Sequence, residues 1–348
     1  MFTKKRKAVP ILMLCFLSLF VGCRGPVPSD PLPPVRTLPL QSLEDPPQSA
    51  IPETALPESL CPVSTEEKVP AFSWDDVLFH GKDLVLYGTL RENAGSSEVL
   101  SLETVLDSFS GTVSVMIVSA DHEKALSYNT EERLFCACTV KAAYCLYACL
   151  EIEKQGISLD TPLTYLASHY ESGTGDMQYS PVGTVFSLEK TLFKTMSISD
   201  NVGYRMLVDF FGREGYNAWI EEMGCDSLKI HPTVWSLSAK AKDLAVVWEK
   251  IFEYFQTDTP TARFFKESCT DTDGAYATEA LENVSVSHKQ GHNSSGKYLA
   301  YSDAGILWNG DDPYFYVILT DNPGITAKGK KLMQEVMDPI HHFLFSPS

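Results

Sequence analysis

Positive charge is scarce in this sequence. The chain has 28 lysine and arginine residues against 45 aspartate and glutamate residues, which gives a formal net charge of −17 at pH 7. Because nucleic-acid affinity depends on neutralising backbone phosphates with Lys and Arg, we predict no nucleic-acid partner. Hydrophobic residues make up 44% of the 348 residues, so a well-buried globular core is available.

A regular cysteine framework is also absent. The nine cysteines are irregularly spaced, and a domain of this size needs no disulfides for its stability. Cys145 and Cys149 lie four residues apart on one apolar helical face, and together with Cys136 they leave a redox or metal role open. No His-Cys zinc spacing accompanies them, and buried free cysteine behaves as a small hydrophobe. The pattern therefore favours packing, and we predict no metal site.

The apolar run near the N-terminus is too short to cross a bilayer as a permanent helix. Four cations at Lys4–Lys7 precede the run Ala8–Phe20, which is typical of an export signal. The run ends in Phe20-Val21-Gly22-Cys23, which resembles a bacterial lipobox, although Phe20 is bulkier than the usual leucine. The sequence predicts a lipoprotein signal peptide over 1–22 and a lipidated Cys23, with an ordinary cleaved signal or a short anchor as alternatives. Acyl chains on Cys23 would hold the exported protein at the extracytoplasmic face of a bacterial membrane.

Proline divides the rest of the chain. Residues Gly25 to Pro70 hold 12 of the 21 prolines and show almost no periodic apolar pattern. Such a segment stays extended, because proline fixes φ and little apolar surface offsets the entropy of ordering. We predict a disordered spacer over 23–72, an accessory segment of uncertain structure over 73–98, and a folded domain over 99–348.

The folded domain changes its hydrophobic period along the chain. A helix capped by Ser101 comes first, then two strands at Val113–Ser119 and Lys124–Asn129, and then a helix apolar nearly all round from Ala137 to Gln155. Further helices are predicted at 162–170, 188–197, 202–211, 216–223, 239–255 and 261–266, strands at 284–292, 299–308 and 313–320, and a last helix at 332–344. This order predicts an α+β fold, with an antiparallel sheet built from both chain ends and an inserted helical subdomain.

Three short segments carry chemistry. They are Cys138-Thr139-Val140-Lys141, Ser199-Asp200-Asn201 and Lys289-Gln290-Gly291. Residues three apart on a helix share a face, so Cys138 and Lys141 can meet in the first turn of the buried helix. The helix N-terminus and an adjacent ammonium both favour a thiolate, which makes Cys138 a candidate nucleophile.

The order and spacing of these segments resemble the serine-x-x-lysine, Ser-Asp-Asn and Lys-Thr-Gly motifs of class A β-lactamases and penicillin-binding proteins. The resemblance covers roughly Leu100 to the C-terminus and implies a β-lactamase/transpeptidase-like fold. It implies that the backbone N–H groups of Cys138 and His292 bind the oxyanion, and that Ser199 passes a proton to the leaving nitrogen. It also implies that Asn201 binds the amide side chain of the substrate and that Lys289 holds the substrate's carboxylate. By the same resemblance, Gln290, Gly291 and His292 complete the substrate-binding strand. No metal or organic cofactor is implied.

The sequence departs from that family at three points. Cysteine replaces the nucleophilic serine, Gln290 replaces a hydroxyl residue that helps to grip a carboxylate, and Lys229–Trp235 contains no deacylating glutamate. Without a base to activate water, a covalent intermediate would clear slowly. We predict a monomeric acyl hydrolase acting on β-lactam or D-alanyl amide bonds of a small molecule or a peptidoglycan peptide. The alternative is an inactive pseudoenzyme lipoprotein that binds cell-wall peptides or a protein partner.

Overall fold

The computed structural model describes residue 74 and residues 83–93, 95–231, 238–279, 281, 284–294, 296–310, 312–322 and 327–345. All of them belong to the unit Thr65–Ser348. The predicted signal peptide, the predicted lipidation site at Cys23 and the spacer 23–72 lie outside these residues. Within the described residues, no helix combines the length and the apolar character needed to cross a membrane.

The core of the fold is a six-stranded antiparallel sheet in the order β1-β3-β2-β10-β9-β8. Its strands come from both ends of the domain, as the α+β prediction required. They are β1 (Val85–Gly88), β2 (Val113–Ser119), β3 (Lys124–Tyr128), β8 (Ser285–Asn293), β9 (Ala300–Trp308) and β10 (Tyr314–Thr320). β1 belongs to the segment 73–98, whose structure the sequence left open, and it forms the edge of the sheet against β3.

Helices cover both faces of the sheet, with the following bounds: α1 (Ser97–Ser108), α2 (Lys141–Gln155), α3 (Leu188–Ser197), α4 (Asn201–Phe211), α5 (Glu214–Glu222), α6 (Ala241–Gln256), α7 (Pro260–Thr270) and α8 (Ala327–Phe345). In β2, Val115 and Ile117 pack in one apolar cluster with α1 and α8, while Met116 and Val118 pack in the other with α2 and α6. Alternate residues of a strand point to opposite faces, which explains why every residue of β2 is buried.

Some predicted helix bounds differ from the structure, and one predicted helix is not a helix. The first helix begins earlier than predicted, because Ser96 and not Ser101 caps it: Val99 N donates to Ser96 Oγ at 3.3 Å. Residues 162–170 do not form a helix. Instead β5 (Pro162–Thr164) pairs with β6 (Val185–Ser187), and β5 buries only its central leucine. A further short pair joins β4 (Leu134–Phe135) to β7 (Ser238–Ala239).

Helix α2 lies at the centre of the molecule and is buried on almost every side. A 3₁₀ turn at Ala137–Val140 precedes it, so the continuous α-helix predicted from Ala137 begins at Lys141. Gly156, with φ 64°, ends the helix in the left-handed conformation that glycine adopts without steric cost. At the other end of α2, the 3₁₀ turn at Ala137–Val140 lies against β8, and the candidate site is at this contact.

Candidate active site

Cys138 lies in the 3₁₀ turn, where its side chain lines an open cleft of about 610 Å³. The sequence had placed it in the first α-helical turn instead. The preceding residue, Ala137, has φ 48°, a left-handed conformation that an L-residue with a Cβ adopts at some energetic cost. With this conformation the chain changes direction between the end of β4 and the 3₁₀ turn. Cys138 therefore stands at a bend in the backbone with its sulfur toward the cleft.

Lys141 links the first two predicted motifs. Its Nζ donates to the backbone oxygen of Ser199 at 2.5 Å, to Ser199 Oγ at 3.3 Å and to Asn201 Oδ1 at 2.7 Å. The side chain is only 3% exposed, so these acceptors replace water around its ammonium. The structure thus brings Lys141, Ser199 and Asn201 together beside Cys138.

The Cys138 thiol differs electrostatically from the other described cysteines. Burial raises its pKa, but the Lys141 and Lys289 ammonium groups and the Ser199 hydroxyl outweigh burial and bring the pKa from 9.0 down to about 7. Burial raises the pKa of the others, to about 12 for three of them and well above 9.0 for two: Cys136, Cys145, Cys225, Cys149 and Cys269. The thiolate is the nucleophilic form of cysteine, so Cys138 is the reactive thiol of the described domain.

The Ser-Asp-Asn segment is held rigidly by its central residue. Asp200 is fully buried, and its carboxylate accepts from Gly203 N and Met177 N, both at 2.9 Å. It therefore caps the N-terminus of α4 and holds the segment around Met177 against it. Ser199, just before it, has φ 58°, which is a second left-handed non-glycine residue at the site.

Strand β8 places Lys289 beneath the cleft floor. Its side chain is fully buried, and its Nζ donates to Gln290 Oε1 at 2.7 Å. Burial lowers the pKa of Lys289 to about 8, although the Cys138 thiolate acts in the opposite direction. Lys289 and Cys138 therefore lie near enough to shift each other's pKa, but Lys289 Nζ already has a carboxamide partner.

Gly291 lets β8 approach the nucleophile. A Cβ at this position would lie 2.6 Å from Cys136 O and 2.8 Å from Cys138 N, so a side chain would collide with the backbone of the turn. The next residue, His292, lines the cleft, and its Nδ1 lies 3.1 Å from Tyr276 Oη. Burial, followed by the nearby Lys289 charge, lowers the pKa of His292.

Sequence reasoning missed the loop at 171–175. Thr174 Oγ1 lies 4.0 Å from Cys138 Sγ and donates to the backbone oxygen of Ser199 at 2.7 Å. The flanking glycines, Gly173 at φ 125° and Gly175 at φ 92°, shape this loop, and a Cβ on Gly175 would collide with Asp200. The Gly-Thr-Gly sequence was a local signal for such a loop, but it carried no sign of contact with Cys138.

A second missed feature is an ion pair in the cleft wall. Arg205 on α4 pairs with Glu171, and both residues line the cleft. Glu171 is the one carboxylate among the cleft-lining residues that the structure describes. Its pairing with Arg205 leaves it poorly suited to act as a general base. The segment Lys229–Trp235 contains no glutamate in the sequence. Most of it falls within residues 232–237, which lie outside the described part of the chain.

The described residues contain no cluster of three or more His, Cys, Asp or Glu side chains arranged to hold a metal ion. The site is instead built from a thiol, two lysines, a hydroxyl and a carboxamide, with backbone N–H groups of the turn and of β8 close together. Such groups can carry out nucleophilic attack, proton transfer and oxyanion binding.

The fold is that of β-lactamases and transpeptidases. The chain belongs to the beta-lactamase enzyme family, whose sequence profile matches residues 100–344. This membership supports a β-lactam or acyl hydrolase type of function. No curated protein sequence matches the chain significantly.

Solved structures share this fold at low sequence identity. PBP-A is 16% identical with a TM-score of 0.63, over 71% of this chain and 95% of that chain. TLA-1 extended-spectrum β-lactamase is 18% identical with a TM-score of 0.64, over 71% and 98% of the two chains. A β-lactamase from Sphaerobacter thermophilus is 18% identical with a TM-score of 0.61, over 73% and 99%. At these identities the similarity concerns the fold.

Proposed function

We propose that this protein is an acyl hydrolase that opens β-lactam or D-alanyl amide bonds through a thioester on Cys138. The observation that carries the proposal is the thiol itself. Cys138 lines the open cleft, and the pKa of its thiol is lowered to about 7, whereas burial raises the pKa of the other described cysteines. A mutant of PBP-A, one of the similar structures, is an acyl-enzyme complex with penicillin G.

In the proposed reaction, the Cys138 thiolate attacks the carbonyl carbon, and the carbonyl oxygen becomes an oxyanion facing the backbone N–H groups of Cys138 and His292. The C–N bond then breaks as Ser199 Oγ–H protonates the leaving nitrogen. Lys141 Nζ, 3.3 Å from Ser199 Oγ, returns a proton to that hydroxyl. The products of this half-reaction are a thioester and an amine, which leaves from a D-alanyl amide and stays tethered to the acyl group when a β-lactam ring opens. A proton from water restores Lys141.

Release of the acyl group is the weak step. Water must attack the thioester, and this attack is slow without a base to take the proton. Glu171 is engaged by Arg205, and the sequence has no carboxylate between Lys229 and Trp235. We therefore expect acylation that is faster than turnover.

The second candidate is a pseudoenzyme lipoprotein whose cleft binds cell-wall peptides or a protein partner. Two observations favour it: Lys289 is already bound by Gln290, and Glu171 is tied into an ion pair. A cleft of about 610 Å³ is large enough for a short peptide segment. On this hypothesis Cys138 is dispensable.

Labelling separates the two candidates. The purified domain is incubated with a labelled penicillin, and adducts are mapped by mass spectrometry. We expect an adduct on Cys138 that disappears in Cys138→Ala and persists in Cys145→Ala, a matched change of a buried cysteine on α2. If the folded protein gives no adduct, and muropeptide binding is equal in the native and Cys138→Ala proteins, the pseudoenzyme hypothesis stands instead.

We also propose that the protein acts as a monomer, exported and lipid-anchored at Cys23, where substrate comes from the cell envelope. The lipobox-like sequence ending at Cys23 and the proline-dense spacer support the export and the lipid anchor. In cells, Cys23→Ser should move the protein from the membrane to the soluble extracytoplasmic fraction, whereas Cys15→Ser should leave it membrane-bound. Equal distribution of the two variants would contradict the lipid anchor.

A further inference from the structure

Both ends of the Gln290 carboxamide are engaged within the protein. Its Oε1 accepts from Lys289 Nζ at 2.7 Å, and its Nε2 donates to the backbone oxygen of Asp273. Gln290 is 6% exposed and Lys289 is fully buried. The carboxamide oxygen therefore already accepts from Lys289 Nζ, as a bound anion would have to do.

The loop 271–279 holds this arrangement from behind. Asp273 N donates to Ser197 O at 2.9 Å, and Ala277 N donates to Asp303 Oδ2 at 3.0 Å, so the loop is fastened to α3 and to β9. The same loop contacts alternate residues of β8, through Thr272 with His288, Asp273 with Gln290, and Tyr276 with His292. Gln290 thus makes the middle one of three contacts between β8 and the loop. A change in the direction of its side chain would break its hydrogen bond to Asp273.

An anionic ligand faces two costs at this position. To reach Lys289 it must displace the carboxamide oxygen of Gln290. This breaks a buried hydrogen bond from a charged donor. The ligand also places a negative charge beside the Lys289 ammonium that helps to lower the pKa of Cys138, which raises that pKa and reduces the thiolate fraction. A neutral ligand avoids both costs.

We propose that Gln290 is a specificity-determining residue that directs the cleft toward acyl donors without a carboxylate on the β8 side. This inference rests on the proposed function, because it names the substrate class of that site. The glutamine acts as a built-in neutral ligand of Lys289. The preferred donors are uncharged amides or esters, and anionic donors of the same shape, penicillins among them, still acylate Cys138 but more slowly.

The test uses one pair of donors, an N-acyl-D-alanyl thiolactate and its methyl ester, which differ in a single negative charge. Acylation of Cys138 is followed by intact-protein mass spectrometry in the native protein, in Gln290→Thr, and in Gln256→Thr, an exposed control at the end of α6. We expect the native protein and the control to favour the neutral donor by roughly 10- to 100-fold, the factor that corresponds to one hydrogen bond to a charged group. Gln290→Thr should raise the anionic-to-neutral rate ratio at least about tenfold.

Binding in a Cys138→Ala background keeps the inference testable if no acylation occurs. Calorimetry compares N-acetyl-D-alanine with its amide, with and without Gln290→Thr. One outcome is that no acylation occurs, but the protein binds the neutral ligand better than the anionic one and Gln290→Thr reduces this preference. That outcome would refute the proposed chemistry and leave the role of Gln290 intact. Equal reaction or binding of both ligands in the native protein, or an unchanged ratio in Gln290→Thr, would overturn the inference.

Discussion

Replacing Lys141 by methionine tests the origin of the Cys138 reactivity. Lys141 provides the largest favourable contribution to the lowered pKa of Cys138, ahead of Lys289 and Ser199. Methionine keeps much of the aliphatic length but removes the positive charge. We expect the midpoint of the thiol titration to rise by about 1–3 pH units, the usual effect of an opposite charge at close range.

The magnitude can be worked out for alkylation at pH 7. With a pKa of about 7, against 9.0 for an ordinary cysteine, about half of Cys138 is thiolate, compared with roughly 1%. A less basic thiolate is intrinsically less nucleophilic, by roughly eightfold over this difference in pKa. Native Cys138 should therefore react with iodoacetamide about sixfold faster than an unperturbed thiol, and Lys141→Met should lose most of that advantage.

The assay is the alkylation rate as a function of pH, measured by intact-protein mass spectrometry with peptide mapping. Lys154→Met is the matched control, because Lys154 lies on the same helix but is 73% exposed and pairs with Glu151. Circular dichroism establishes that both variants are folded. An unchanged midpoint in a folded Lys141→Met protein would refute the electrostatic explanation of the thiol.

Two further predictions concern stability. Asp200→Ala removes the acceptor of two buried backbone N–H groups, those of Met177 and Gly203, and should lower the free energy of unfolding in urea by about 2 kcal/mol; an unchanged midpoint would contradict the capping role. Gly291→Ala forces a Cβ to within 2.8 Å of Cys138 N and should cost about 1–3 kcal/mol in stability and slow Cys138 labelling. A thermal melt and the alkylation assay test this prediction. A native-like melting temperature and a native-like alkylation rate would contradict it, because they would show that the turn accommodates the added Cβ without loss of stability or reactivity.

Elements with strong local signals were predicted well from sequence. Helix α3 was placed correctly at both ends, because Ser187 is a good N-cap whose Oγ accepts from Lys190 N at 3.1 Å, and apolar residues recur at helical spacing after it. Strand β2 was also placed correctly, since a run of β-branched and apolar residues between turn signals is typical of a buried strand.

The misassigned segments lack such signals. The pairing of β5 with β6 spans three residues on each side, which is too short for a period of two to stand out against a helical pattern. Thr174 and the Glu171–Arg205 pair reach the site through tertiary contacts between distant parts of the chain, which no local pattern encodes. The direction of the Gln290 side chain likewise depends on the loop 271–279, and a sequence motif names the residue without fixing its partner.

Backbone strain bears on the choice between enzyme and binding protein. Ala137 and Ser199 both adopt left-handed φ values, 48° and 58°, which cost a non-glycine residue roughly 1–2 kcal/mol each. Glycine would remove this cost at either position, yet at 199 a glycine would also remove the hydroxyl that Lys141 contacts. A cleft that only bound peptides would not need a strained serine beside a thiol of lowered pKa. Ala137 and Ser199, two of the five described non-glycine residues with positive φ, flank and face Cys138, and proteins retain such strain where the geometry serves chemistry; the other three are His122, Asn129 and Asp258. The strain beside Cys138 therefore weighs toward covalent reaction at Cys138, even where release of the product is slow.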